Sequence, residues 1–208
     1  CIERWGKTPT ELMDRLGMYK YGGGGYHCVW VSDNDIEIMK KNHLYAVTNP
    51  ASNLKLASGI APVKRFMDEN IPLAIGTDGA ASNNALDMFR EMYLTTALAK
   101  VKENDASVVP ADEVLYSAVS EGAHCMGLDD CDTIEKGKKA DLIMIDLQRP
   151  NMQPMNNIIK NIVYAGSKDN VKLTMVNGKI LYRDGRFDIG FDPKEIYLKC
   201  NEIINRMR

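Results

Sequence analysis

The stretch "LAIGTDGAASNN" (73–84) sets Asp78 between Thr77 and Gly79, directly after a short apolar run. Asp-Gly between apolar runs is a hairpin signal. Here, however, "AASNN" and a long helical pattern follow, not a second strand. The aspartate therefore ends a strand in a strand–turn–helix unit, and parallel α/β folds gather ligands and catalysts at that carboxyl edge. On pattern alone, the turn reading and the chemical reading of Asp78 stand level. His27, in "YHCVWV", is the second candidate. A lone histidine in an apolar run is more often a satisfied core residue. Near a strand end it could face the same edge as Asp78, where a neutral imidazole can accept or donate a hydrogen bond or ligate a metal. A third group lies in "NPASNLKLASG", where Asn49, Ser52 and Asn53 bring amide and hydroxyl groups to the loop after an apolar run. That is polar recognition chemistry, although loops carry such residues anyway. His43 and His124 lie in or beside helices among polar neighbours and read as structural.

Other chemistries are disfavoured. "YGGGGYH" lacks the Gly-Lys-Ser/Thr ending of a phosphate loop and the spacing of a dinucleotide fingerprint. No Gly-x-Ser-x-Gly nucleophile elbow is present. Five cysteines (Cys1, Cys28, Cys125, Cys131, Cys200) are odd in number and form no Cys-x-x-Cys pair, so neither a disulfide framework nor a zinc knuckle is expected. A net charge of −2 gives no reason to expect a nucleic acid or an anionic membrane as partner. No apolar run approaches the roughly 20 residues that span a bilayer. A reducing, cytoplasmic setting is the simplest expectation.

The elements that must position these residues follow from caps and periodicity. "TPTELMDRLG" reads as a helix with Thr8 as N-cap, Pro9 at the first position, Glu11 closing a capping box and Gly17 ending it. "YHCVWV", "LYAVTN" and "IPLAIGT" read as strands. They alternate with helices opened by Ser32 and Asp35, by Ser58, and by Asn83 and Asn84. In the last, Leu86, Phe89, Tyr93 and Ala97 recur at helical spacing, and "PADEVLYSAVSEGAHCMG" reads as one further helix. Strands alternating with helices predict βα units and a parallel sheet. From about residue 133 the pattern changes: "KKADLIMID" is a strand and "VKLTMVNGKILYRDG" a hairpin turned at Asn177-Gly178. The tail 192–208 reads as an amphipathic helix.

"HCVW", "NPASNLKLASGIAPV", "GTDGAASNNALDMFREM", "KGKKADLIMIDL" and "VNGKILYRDG" together resemble the amidohydrolase superfamily. Within it they are most similar to the methylthioadenosine/S-adenosylhomocysteine deaminases and their triazine-hydrolase and guanine-deaminase relatives. The resemblance implies an α/β fold: the C-terminal part of a (β/α)8 TIM barrel, strands six to eight with their helices, plus part of a small β-sandwich. The expected division is 1–132 for the barrel part, 133–191 for the sandwich segment and 192–208 for a C-terminal helix. It further implies one divalent metal, zinc or alternatively iron. Asp78 falls on the eighth-strand aspartate, metal ligand and proton shuttle in the family, and His27 on the sixth-strand histidine that hydrogen-bonds the attacking hydroxide or the substrate. Asn49, Ser52 and Asn53 are the expected substrate-binding residues. The family's His-x-His, its fifth-strand histidine and the nearby glutamate have no counterpart among these residues. Residue 1 is Cys, and the chain is expected to begin just after strand five of a longer parent.

The expected activity, in that parent, is metal-dependent hydrolytic deamination of an adenosine-type nucleoside, with no catalytic metal held tightly by these residues alone. The alternatives are an amidohydrolase acting on guanine, a triazine or another C–N or C–Cl bond, and a non-catalytic binding or assembly protein. The expected partners are a small purine nucleoside-like substrate and further copies of the chain in a homo-oligomer, with no nucleic acid and no membrane.

Overall fold

The computed structural model describes residues 1–207. After a single turn, α1 (Ile2–Trp5), helix α2 (Pro9–Arg15) begins where its caps dictate: Thr8 Oγ1 accepts from Glu11 N, and Glu11 Oε2 accepts from Thr8 N. Ser32 and Asp35 form the same reciprocal box. Asp35 is buried and also accepts a hydrogen bond from the Thr8 hydroxyl, so one carboxylate serves two helix starts.

Strand β1 occupies Gly24–Tyr26, the end of the glycine run and only the first residue of the "YHCVWV" stretch expected to form it. The reason is steric. A Cβ on Gly24 would lie 2.4 Å from the Tyr45 carbonyl oxygen, so β1 can approach its neighbour only through glycine. His27 and Cys28 follow with φ of 66° and 46°, which ends the strand. Helix α3 (Asp33–Lys41) leads to β2 (Tyr45–Thr48), α4 (Pro50–Lys55), α5 (Val63–Asp68) and β3 (Leu73–Ile75). The sequence placed the start of the α5 helix at Ser58; it starts only after Pro62, which holds the chain out of helical geometry.

The three strands pair in parallel in the order β1-β2-β3. Register sets Tyr26 against Val47 and Thr48 against Ile75, so β2 and β3 end level and β1 ends one residue earlier. The residues that come next, His27, Asn49 and the Gly76–Asp78 turn, therefore meet at one edge.

Beyond β3 come α6 (Ala80–Asn83) and α7 (Met88–Glu103). Asp87 caps α7, its side chain accepting from Phe89 N, whereas Asn83 ends α6 and Asn84 is that helix's C-cap. The buried face of α7 is Phe89, Glu91, Met92, Thr95, Thr96 and Ala99. Leu86 and Tyr93, expected in its apolar stripe, are 53% and 47% exposed. The single helix expected at 110–127 is two, α8 (Ala111–Ala118) and α9 (Ser120–Cys125), broken at Val119.

A four-stranded antiparallel sheet, β4 (Leu142–Ile145), β5 (Val171–Val176), β6 (Lys179–Arg183) and β7 (Arg186–Phe187), follows in sequential order. Asn177 and Gly178 turn β5 into β6 with φ of 48° and 79°, as the Asn-Gly pair predicts. Between β4 and β5 lies a helix not expected from the sequence, α10 (Ile158–Ala165). It packs on α7 and α8 and buries Val163 in the same core as Ile36, Phe66 and Phe89. The last helix, α11 (Pro193–Met207), buries no residue. Arg208, the end of the expected helix, lies outside the described residues.

Candidate active site

The site is assembled from three strand ends. After β1, the His27 N–H donates to the Val47 carbonyl at 2.8 Å and to Asn49 Oδ1 at 3.2 Å. The left-handed φ of His27 turns its ring back over the edge. There Nδ1 lies 2.8 Å from Asn53 Oδ1. An amide oxygen only accepts, so Nδ1 carries the proton and Nε2 is left as the acceptor.

After β2, Pro50 enters α4 at its first position. Thr48, Asn49, Ser52 and Asn53 form a run of polar side chains, each no more than 2% exposed. Buried polar groups must be partnered, and each of the last three partners with the site: Asn49 and Asn53 with His27, Ser52 with Asp78.

After β3, Asp78 takes φ 59°. A non-glycine residue held there stores strain, as functional sites often do. Asp78 Oδ2 accepts from the Ser52 hydroxyl at 2.6 Å, and Oδ1 accepts from Gly79 N at 2.7 Å. The Ser52 hydroxyl first, then the Gly79 N–H, hold its carboxyl below the usual carboxylate range against partial desolvation. His27 Nε2 stands 3.8 Å from Asp78 Oδ2, so imidazole and carboxylate face one another across a gap. All five residues singled out in the sequence thus come together at the carboxyl edge of one parallel sheet. A depression of about 690 Å³ lies at the opposite end, among Asn70, Pro72, Glu113 and Tyr116.

A further charged residue, not expected from the sequence, underlies the site. Glu91, on α7, is fully buried beneath the cluster. Its Oε2 accepts from Ala51 N at 3.0 Å and its Oε1 from Asn83 Nδ2 at 2.7 Å. Burial pushes its carboxyl pKa up, and these two donors oppose the rise. The sequence carries no signal for it, since a glutamate beside the exposed Arg90 on one helix reads as solvent-facing.

A catalytic metal needs at least three protein donors and an open position. Asp78 and the free Nε2 of His27 supply two, and among the described residues no group of three or more His, Cys, Asp or Glu could hold an ion. The donor set of these residues does not fit a complete metal centre.

A family model described as the amidohydrolase family matches residues 3–181. A 5-methylthioadenosine/S-adenosylhomocysteine deaminase from Dictyoglomus thermophilum is 41% identical over 177 residues, covering 85% of this chain and 42% of the relative. An adenosine deaminase from Xanthomonas campestris, solved with bound zinc, superposes with a TM-score of 0.93 at 32% identity, covering 100% of this chain and 47% of that one. An atrazine chlorohydrolase from Arthrobacter aurescens TC1, complexed with zinc, shares the fold with a TM-score of 0.85 at 23% identity, covering 98% of this chain and 45% of that one. The chain spans about half the length of the curated relatives it matches. A match that runs through all three strand ends and on into the antiparallel sheet is continuous with the geometry above, and the chain belongs to the amidohydrolase family.

Proposed function

We propose that these residues form the C-terminal half of a metal-dependent hydrolytic deaminase acting on an adenosine-type nucleoside of the S-adenosylhomocysteine or methylthioadenosine kind. The observation that carries this reading is the Asp78–Ser52 and His27–Asn53 pairing at the ends of three parallel strands. In this reading β1, β2 and β3 are strands six to eight of a (β/α)8 barrel, residues 1–132 belong to the barrel, 133–191 to a β-sandwich segment, and α11 is an appended helix. The 0.93 superposition on about half of a zinc-bearing adenosine deaminase supports that assignment.

The reaction adds water to C6 of the purine and releases the amino group as ammonia. Asp78, held ionised by Ser52 and Gly79, takes a proton from the water. His27, with Nδ1 fixed on Asn53, presents Nε2 to orient the water or the developing hydroxyl. Asn49, Ser52 and Asn53 complete the substrate-binding edge, and their bonds to His27 and Asp78 fix its shape. A divalent ion, zinc in the solved relatives, would supply Lewis-acid activation of the water, with Asp78 as one of its ligands. Its other ligands would come from polypeptide outside these residues.

Two measurements test the proposal. The isolated 208-residue chain binds no zinc with sub-micromolar affinity, and one tightly bound equivalent by metal analysis would overturn the half-site. The full-length parent releases ammonia from S-adenosylhomocysteine, methylthioadenosine or adenosine. Turnover confined to guanine or a triazine would move the substrate class, and no turnover on the whole panel would favour a binding protein.

A further inference from the structure

Helix α4 carries Ser52 and Asn53, and its first turn is short of the usual cap. Asn49 is the N-cap residue, but its side chain makes no capping bond, because Oδ1 accepts from His27 N instead. Pro50 has no N–H, so the first free donor of the helix is Ala51 N. That donor is buried and meets Glu91 Oε2 at 3.0 Å, supplied from a helix 40 positions away in sequence. The contact does what a capping aspartate does locally, engaging an orphan donor at a helix start.

The other oxygen of the same carboxylate reaches the second half of the site. Glu91 Oε1 accepts from Asn83 Nδ2, and that amide also donates to the Thr77 carbonyl at 2.6 Å, one residue before Asp78. A single fully buried carboxylate thus ties the helix bearing Ser52 and Asn53 to the turn bearing Asp78. A charge in that position is costly unless fully hydrogen-bonded, and both its oxygens are engaged. Glutamine matches its volume but offers one acceptor where two donors wait.

We propose that Glu91 is a positioning residue of the site, setting α4 and the Asp78 turn against each other so that Ser52 meets Asp78 and Asn53 meets His27. The inference rests on the reading of Asp78 and His27 as the reacting edge. Glu91 itself touches neither.

The test uses the isotope-labelled 208-residue chain without metal or substrate, comparing the parent with Glu91→Gln, Asn83→Ala and Thr95→Val. Thr95 is buried on the same helix, and its hydroxyl donates only to the Glu91 carbonyl, so its variant is a control for stability alone. In Glu91→Gln, amide exchange at Ala51 or at the Thr77–Asp78 turn rises about tenfold. The side-chain nitrogen signals of His27 and the carboxyl carbon of Asp78 move with it. In Asn83→Ala the Asp78 signals move and Ala51 keeps its protection. In Thr95→Val the melting temperature falls while the His27 and Asp78 signals stay in place. A folded Glu91→Gln chain with unmoved His27 and Asp78 signals overturns the proposal, as does a Thr95→Val chain that moves them equally. If Glu91→Gln does not fold, the Asn83→Ala arm decides. Because no turnover is measured, absent ammonia release would overturn the deaminase reading and leave this result intact.

Discussion

At the scale of single residues, the site depends on close approaches that tolerate no added atom. A Cβ on Gly76 would lie 2.7 Å from Asn49 Nδ2, and Asn49 is 2% exposed and holds the His27 backbone. Gly76→Ala is therefore expected to cost about 1–3 kcal/mol, the usual range for overpacking a filled interior, read as a lower urea midpoint. An unchanged midpoint would mean that Asn49 has room to move. Ser52→Ala acts differently. It removes the strongest influence lowering the Asp78 pKa, so that pKa should rise toward its ordinary value of 3.8, measured by carboxyl-carbon titration. A titration that does not move would show that the other groups around it, Gly79 N–H, Ser82 and His27, set it. Asp78 was legible in the sequence because it follows an apolar run at a strand end; His27 stands at the start of its apolar run, where a core histidine is the commoner reading, and the family resemblance singled it out. Glu91 was not, because a glutamate in a helix ordinarily reads as solvent-facing, and only the meeting of α4 with α7 reveals its two donors.

At the scale of elements, the sequence signals that held have local causes, whereas the placement of β1 and of α10 has tertiary ones. The capping boxes at Thr8 and Ser32 and the Asn177-Gly178 turn are local, and each stands where expected. Strand β1 is glycine-rich because of what Tyr45 brings against it, and no propensity scale carries that. Helix α10 has a buried face only because α7 and α8 offer one. The connection from α9 to β4 is a further tertiary element. Asp132 accepts from Lys138 and from His124 Nε2, while its carbonyl accepts from Ser120 Oγ at 3.0 Å. Lys138 first, then His124, hold the Asp132 carboxyl down at about 2, and Asp132 in turn raises the His124 pKa above its ordinary 6.5. The depressed aspartate contributes stability that is complete above its ordinary value of 3.8 and lost as pH falls through about 2. The raised histidine contributes stability that is complete below 6.5 and lost as pH rises through its folded value. Hydrogen exchange across 128–141, corrected for intrinsic rates, should be slowest between those limits. A protection profile flat from pH 2 to pH 8 would show that these pairs do not hold the connection.

At the scale of the whole molecule, the parallel sheet is open on both sides. Three strands with β1 and β3 at the edges leave backbone donors and acceptors unpaired, which is a template for association. In the first 30 residues, which include β1, Trp5, Leu16, Tyr21, Tyr26 and Trp30 are all more than half exposed. Far along the chain, Ile196, Leu198, Ile203 and Ile204 on α11 are 40% to 64% exposed on a helix that buries no residue against the rest. Monomeric proteins rarely present contiguous apolar patches beyond a few hundred Å², and a net charge of −2 on 208 residues adds little repulsion to oppose association. The isolated chain should therefore self-associate, with light scattering giving a mass that rises above 23.2 kDa as concentration increases. Deleting 192–208 separates the two surfaces: if the shortened chain still associates, the β1 side drives it, and if it is monomeric, α11 does. A mass that stays at that of one chain up to about 100 μM, well above the roughly micromolar constants of weak protein pairs, would show that neither surface recruits a second copy.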